Sequence, residues 1–273
     1  MNNKVQWIVS NELGALSDIH LFVDKIKERD DCILQTVSLE NVLTPSYTPT
    51  FNKNIPTLFY GPVNFINRMS TQGYTPGIFG DNESYSYENL CNNVPHEYIF
   101  NNPNECFLGT PDEVLSYVSN MEDDMQLFFK PGDDSKFIIG QVCNVHAIKF
   151  MCNNILDNKI PDTNANSKLL VGVPYGIEKE YRLFVINGKI STGSEYKPNK
   201  SNEIPLQIID FANKIISLWQ PFPLMILDVC VSNNISYIME IQNFHSAGFY
   251  LSDLDNIIND SNMVALEYFN NME

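Results

Sequence analysis

The stretch "YIMEIQNFHSAGFY", residues 237–250, begins as an apolar strand and then places Glu240 inside it, with Gln242, Asn243 and His245 close behind. A carboxylate in a run that reads as buried is costly unless something positive compensates it. The strand before it poses the same problem, because "LMILDVCV", residues 224–231, carries Asp228 among apolar neighbours. The connecting loop decides how the two acids relate. A three-residue loop, 233–235, sets Asp228 directly opposite Glu240 with Gln242 on the same face. Like charges opposed on adjacent strands then need a cation between them. Hard oxygen ligands from Asp, Glu and an amide carbonyl select magnesium or manganese. A two-residue loop, Asn233-Asn234, sends the acids to opposite faces instead. The sequence leaves both registers open.

Two stretches upstream carry the complementary charge. In "LFFKPGDDSKFIIG", residues 127–140, a strand ends at Lys130 because Pro131 cannot continue a central ladder, and Lys136 opens a second apolar run closing at Gly140. This reads as a hairpin with two lysines near its mouth. Lysine suits phosphate oxygens as a compact charge, and equally snorkels to solvent at a strand end. In "GIEKEYRLFVINGKISTGSEY", residues 176–196, Asn187-Gly188 is a strong hairpin signal that pairs 180–186 with 189–195. Alternation puts Glu180, Arg182, Phe184 and Ile186 on one face and Tyr181, Leu183 and Val185 on the other. Glu180 and Arg182 are then either a surface ion pair of small worth or a carboxylate and a guanidinium fork offered to a ligand.

A chain of 273 residues with 44% hydrophobic content can bury a sizeable core and exceeds the usual single-domain size, so two domains are expected. The net charge of -16 argues against general nucleic-acid binding and against docking on an anionic membrane, since both need a basic footprint. The opening residues lack a signal-peptide pattern and no apolar run reaches membrane-spanning length, which points to a cytoplasmic protein. Six cysteines without a CxxC pair read as buried thiols rather than a zinc or disulfide framework. Neither GxxxxGK[ST] nor GxGxxG occurs.

Apolar runs at 5–10, 32–39, 57–61, 127–130, 169–174, 180–186, 189–194, 224–231 and 236–243 predict strands, and helical spacing predicts helices over 12–28, 110–121, 203–219 and 252–271. The class is α+β. The cleanest helix start is "GTPDEVLSYV", where Thr110 caps, Pro111 takes the first helical position and Asp112 and Glu113 complement the positive end. Together with the turn-rich stretch before it, this places a domain boundary between 108 and 109.

Two lysines, an arginine and two acids flanking an amide, in this order, resemble the ATP-grasp superfamily, and within it the small clade marked by one arginine and two lysines. The motifs are "KPGDDSKFIIG", "EYRLFVINGKI", "MILDV" and "MEIQNFHSAGFY", spanning roughly residues 127–250, and "LFYGPVNFINR" with "TPGIFGD" resembles the clade's N-terminal lobe. The resemblance implies two α/β subdomains gripping ATP over residues 109–273, preceded by a smaller α/β lobe over 1–108. It implies Lys130 on the α- and β-phosphates and Lys136 on the outer phosphates. Adenine would be held by backbone of 170–174, chiefly Leu170, Val171 and Val173, and ribose or base donors by Glu180. Magnesium or manganese would be carried by Asp228, Glu240 and Gln242. Arg182 would stabilise the transferring phosphoryl or the acyl phosphate. The family usually has asparagine where Gln242 stands, so Asn243 is the alternative amide ligand.

The implied activity is an ATP-dependent carboxylate–amine or carboxylate–thiol ligase acting through an acyl phosphate on a small-molecule or peptide acid. Positioning and charge stabilisation suffice for such chemistry, which fits the absence of a GxSxG elbow. The rival readings are a nucleotide-binding pseudoenzyme with a regulatory role and a hydrolase using Asp228 and Glu240 as acid and base.

Overall fold

The protein is described here by a computed structural model covering residues 4–10 and 19–272. The chain forms two compact units, the first made of Met1–Asp81, Lys179–Val229 and Ile241–Glu273, the second of Asn82–Glu178 and Cys230–Glu240. Among the described residues no helix is long and apolar enough to cross a membrane.

The first unit opens with β1 (Val5–Ser10), α1 (Ile19–Lys27), β2 (Cys32–Val37), α2 (Leu39–Leu43), β3 (Thr57–Tyr60), α3 (Val63–Ser70) and β4 (Pro76–Gly77). The strands pair in parallel in the order β2-β1-β3-β4. Parallel strands are covered on both faces, and β1 is buried along its whole length. Trp7 points into one core and Ile8 into the other, as period-two alternation requires. The helix expected over 12–28 is present as α1, and residues 12–18 lie outside the described residues.

The second unit contains α4 (Tyr87–Asn93), β5 (Cys106–Gly109), α5 (Pro111–Tyr117), β6 (Gln126–Pro131), β7 (Gln141–Asn144), α6 (Val145–Leu156) and β8 (Leu169–Gly172). Its sheet is antiparallel in the order β5-β8-β6-β7. Phe129, Val171, Val114, Ile148 and Ile155 form its core. Helix α6 is not among the expected elements, although Val145, Ile148, Cys152 and Ile155 mark one helical face and Asn144 caps it.

Helix α5 begins as its sequence demands. Thr110 accepts from the Glu113 N–H, Glu113 accepts in turn from the Thr110 N–H, and Pro111 sits at the first position. Thr110→Ala is expected to lower stability by about 1 kcal/mol. Chemical denaturation should show a lower midpoint with an unchanged m-value.

The hairpin expected at 127–140 needs a correction. Its second strand is β7, which pairs Gln141 with Phe129, so the expected strand 136–140 lies in the loop. Lys136 has φ +55 there, a left-handed turn conformation that no strand residue adopts. Phe137 and Ile138, apolar as a strand would require, instead lean on the unit's core from the loop.

The chain then returns to the first unit with β9 (Lys179–Ile186), β10 (Lys189–Lys197), α7 (Leu206–Leu218), β11 (Leu224–Ser232), β12 (Ile235–Asn243) and α8 (Leu254–Asn270), the far ends of β11 and β12 belonging to the second unit. The sheet order is β10-β9-β11-β12. Asn187 and Gly188 both have positive φ, giving the expected two-residue turn. Phe184, Ile226, Phe244 and Phe249 pack with Trp7, Phe22 and Tyr60 in one core, and Phe249 stacks on Phe22 at 4.5 Å and on Tyr60 at 4.7 Å.

Candidate functional site

In the first unit the chemistry gathers at the start of β9 and on its neighbours. Arg182 donates from Nε to Asp228 Oδ1 at 2.9 Å and from Nη2 to Oδ2 at 2.7 Å, a bidentate pair whose residues are 7% and 2% exposed. Its Nη1 donates to the Gly248 carbonyl at 3.3 Å. Burial works against the Arg182 cation, but the charge and hydrogen bonds of Asp228 outweigh it and raise the guanidinium above its ordinary range. Gln242 donates its amide N–H to Asp228 Oδ2.

Glu180 is buried and accepts from Lys197 at 3.2 Å. Glu180 and Arg182 thus share a face as expected, and each has found a different partner. The alternative of an ion pair between them is set aside by those partners.

In the second unit Lys130 ends β6 and holds Glu240 at 3.1 Å, with the carboxylate side chain 40% exposed. Lys136 lies 3.3 Å from the buried Asp134. Leu170 and Val171 belong to β8, which has β5 on one side and β6 on the other, with Leu170 facing Lys130 across the ladder. Val173 follows the strand and is exposed.

The loop between β11 and β12 is Asn233-Asn234, both with positive φ, so the three-residue alternative does not occur. An unbroken two-residue register would set Gln242 on the face opposite Asp228. Their hydrogen bond shows that the alternation is interrupted before residue 242. Each acid also has its own cation, Arg182 for Asp228 and Lys130 for Glu240. The expected bare like-charge pair is therefore corrected: both charges are compensated by side chains.

Two tyrosines lie beyond what sequence reasoning marks. Tyr196 and Tyr250 stack in parallel at 4.6 Å, and the Arg182 guanidinium lies 5.7 and 5.0 Å from their ring centres. Lys197 is a third such residue. No sequence signal marks Tyr196 or Lys197, because their direction is set by irregularities in β10. His245 is buried, with its Nδ1 2.8 Å from the Phe59 carbonyl and its Nε2 accepting from the Phe79 N–H at 3.0 Å. Burial lowers its pKa to about 4, so it is a neutral tie between segments.

A glutamate and an arginine two residues apart on one strand, a buried aspartate on the next and an acid followed by an amide on the last form an ordered set. The family profile of the ATP-grasp domain, family 3 of the clade marked by one arginine and two lysines, matches residues 98–260. The chain belongs to this family. The ATP-grasp fold shows in solved structures too. D-cycloserine synthetase DcsG superposes with a TM-score of 0.57 at 11% identity, covering 96% of this chain and 99% of that one. D-alanine–D-alanine ligase from Bacillus anthracis, solved with ATP, gives 0.57 at 12% identity, covering 97% and 98%. A Chryseobacterium gregarium RiPP-associated ATP-grasp ligase, solved with ADP and a leader and core peptide, gives 0.53 at 10% identity, covering 97% of each chain. No curated protein sequence matches the chain.

Proposed function

We propose that this ATP-grasp protein is a carboxylate–amine or carboxylate–thiol ligase that works through an acyl phosphate, with a small-molecule or peptide acid as substrate. The observation that carries the reading is Arg182: buried, held in plane by Asp228 and Gly248, and using three of the five N–H donors of a guanidinium within the protein. The two that remain can meet a developing oxyanion without reorganisation. In this reading residues 1–108 form the lobe ahead of the ligase domain, 109–273.

The donor chemistry of Asp228, Glu240 and Gln242 fits a hard divalent cation, magnesium or manganese. For Gln242 to present oxygen alongside Asp228, its amide must turn over, since its nitrogen now faces the carboxylate. The bound cation would neutralise phosphate charge. Lys130, at the end of a rigid strand, would bind the inner phosphates, and Lys136, in the loop between β6 and β7, the outer ones. Base contacts fall to the backbone after β8, at Val173, with Leu170 and Val171 supporting it from the strand, and Glu180 takes ribose or base donors. The complexes of related folds with ATP and with peptide support this reading.

Millimolar Mg-ATP is expected to stabilise the fold by about 2.7 kcal/mol at a hundredfold excess over Kd, and EDTA should remove most of that gain. An unmoved melting temperature would sink the nucleotide reading. Lys130→Ala should weaken nucleotide affinity about 10- to 100-fold, whereas Lys136→Ala should mainly reduce ADP release, because its contact tightens as charge develops. Titration calorimetry and ADP release with intact-mass detection, across pooled amino acids and peptides, separate the two effects.

A second reading is favoured by one observation. Asp228 is already neutralised by Arg182, and Gln242 offers it nitrogen rather than completing an oxygen set. That arrangement suits a nucleotide-binding pseudoenzyme. ATP binding without ADP release under every substrate pool would select it.

A further inference from the structure

Two local irregularities converge on Arg182. Counted strictly outward from the Asn187-Gly188 turn, Glu195 would share the face of Arg182 and Tyr196 would not. A shift between Ile190 and Thr192 brings Ser194 opposite Arg182, which puts Tyr196 on that face. A second shift, between Glu195 and Lys197, sets Lys197 opposite Glu180, so two consecutive side chains turn to the same side. From the other direction comes Tyr250, whose φ of +52 is an outlier for a bulky residue. It follows Phe249, which is locked in the core against Phe22, Tyr60 and Phe184. The results are two rings in parallel contact, 6° from coplanar, both within cation–π range of the guanidinium. Outliers of this kind persist where the surroundings over-determine them, and they cluster at functional sites.

We propose that Tyr196 and Tyr250 are positioning residues that keep the Arg182 guanidinium in place when its counter-charge, Asp228, is drawn toward a metal-bound nucleotide. This rests on the ligase reading above. The structure supplies the reason such a device is needed. Asp228 holds Arg182 by two of its three protein hydrogen bonds, and the same carboxylate is the one offered to the cation. A buried arginine that loses part of its carboxylate would swing away unless something else favours the cation where it stands. Aromatic faces do so through their quadrupole, without competing for the N–H donors that must meet the oxyanion. The Gly248 carbonyl fixes one end of the guanidinium, and the rings fix its face.

The chain has three arginines, Arg29, Arg68 and Arg182, so an arginine-labelled sample gives a simple Nε–H spectrum in which solvent exchange at Arg182 can be timed. The probe is Mg-AMPPNP, a non-hydrolysable ATP analogue, with melting temperature confirming that each variant is folded. With the probe bound, exchange at Arg182 is expected to accelerate on the order of tenfold in Tyr250→Leu and in Tyr196→Leu. Tyr250→Phe, which keeps the ring, should stay near the wild type, and that rescue is what a merely space-filling role for the hydroxyl or the chain would not give. Exchange as slow as wild type in both leucine variants overturns the proposal, and so does equal acceleration in Tyr250→Phe. If calorimetry shows no Mg-AMPPNP binding to the wild type, the ligase reading falls and takes this proposal with it. Binding with unchanged exchange sinks the tyrosine role alone.

Discussion

Replacing Asp228 by asparagine is expected to destabilise the ligand-free protein by about 3–5 kcal/mol, because it strands the buried Arg182 cation. That corresponds to a fall of about 10 °C or more in melting temperature for a chain of this size. The sign carries the information. A bare pair of like charges waiting for a metal would be relieved by the same substitution, and the variant would melt at or above the wild type. Arg182→Met together with Asp228→Leu tests the energetics from the other side, since replacing both members of a buried pair by apolar groups is often neutral. The double variant should recover much of the stability lost by Asp228→Asn, while ADP release stays absent under the proposed function. Melts of all variants with and without Mg-ATP decide both points. A wild-type melting temperature for Asp228→Asn would show that the pair contributes nothing to the fold.

His245 should make the protein sensitive to acid. Its folded pKa of about 4 lies below its unfolded value near 6.5, so between these the unfolded chain binds a proton that the native protein refuses. Stability is therefore intact above pH 6.5, falls as pH drops toward 4, and levels off below. The loss from this group is about 3 kcal/mol. The cause is geometric as well as dielectric: with Nδ1–H donating to Phe59, Nε2 must stay unprotonated to accept the Phe79 N–H. His245→Gln is expected to be less stable at pH 7 yet to show a flatter pH profile, with about one proton fewer taken up on unfolding across this range. Parallel slopes for the two proteins would return the acid sensitivity to the carboxylates.

Much of the fold is legible because it depends on neighbours in sequence. The apolar runs that become β1, β3, β9 and β11 are continuous or alternating over four to nine residues, and the structure places strands there. The turn at Asn187-Gly188 follows from residues that tolerate positive φ, and the start of α5 follows from Thr110, Pro111 and Glu113 acting within one turn. Elements without such local marks stay hidden. Helix α6 has no acid in its first turn, and α4 is a seven-residue helix in an asparagine-rich stretch. The loop 132–140 imitates a strand because Phe137 and Ile138 are apolar for a different reason, contact with the second unit's core.

The residues of the candidate site are nameable from the order of Lys130, Lys136, Glu180, Arg182, Asp228, Glu240 and Gln242, since motif and spacing are linear properties of the chain. Their partners are not. Arg182 meets Asp228 across 46 positions and Lys130 meets Glu240 across 110, and such encounters depend on strand order, which hydrophobic periodicity leaves undetermined. Faces are equally out of reach where a strand is irregular. One extra residue reverses every side chain beyond it, so the two shifts in β10 decide that Tyr196 and Lys197, rather than Glu195, stand with Arg182 and Glu180. The sequence by itself determined which charges exist and on which strands. The tertiary structure decided which charge each one answers, because electrostatic compensation acts through space at distances of a few ångströms, and the chain path that creates those distances is set by packing far from the charges themselves.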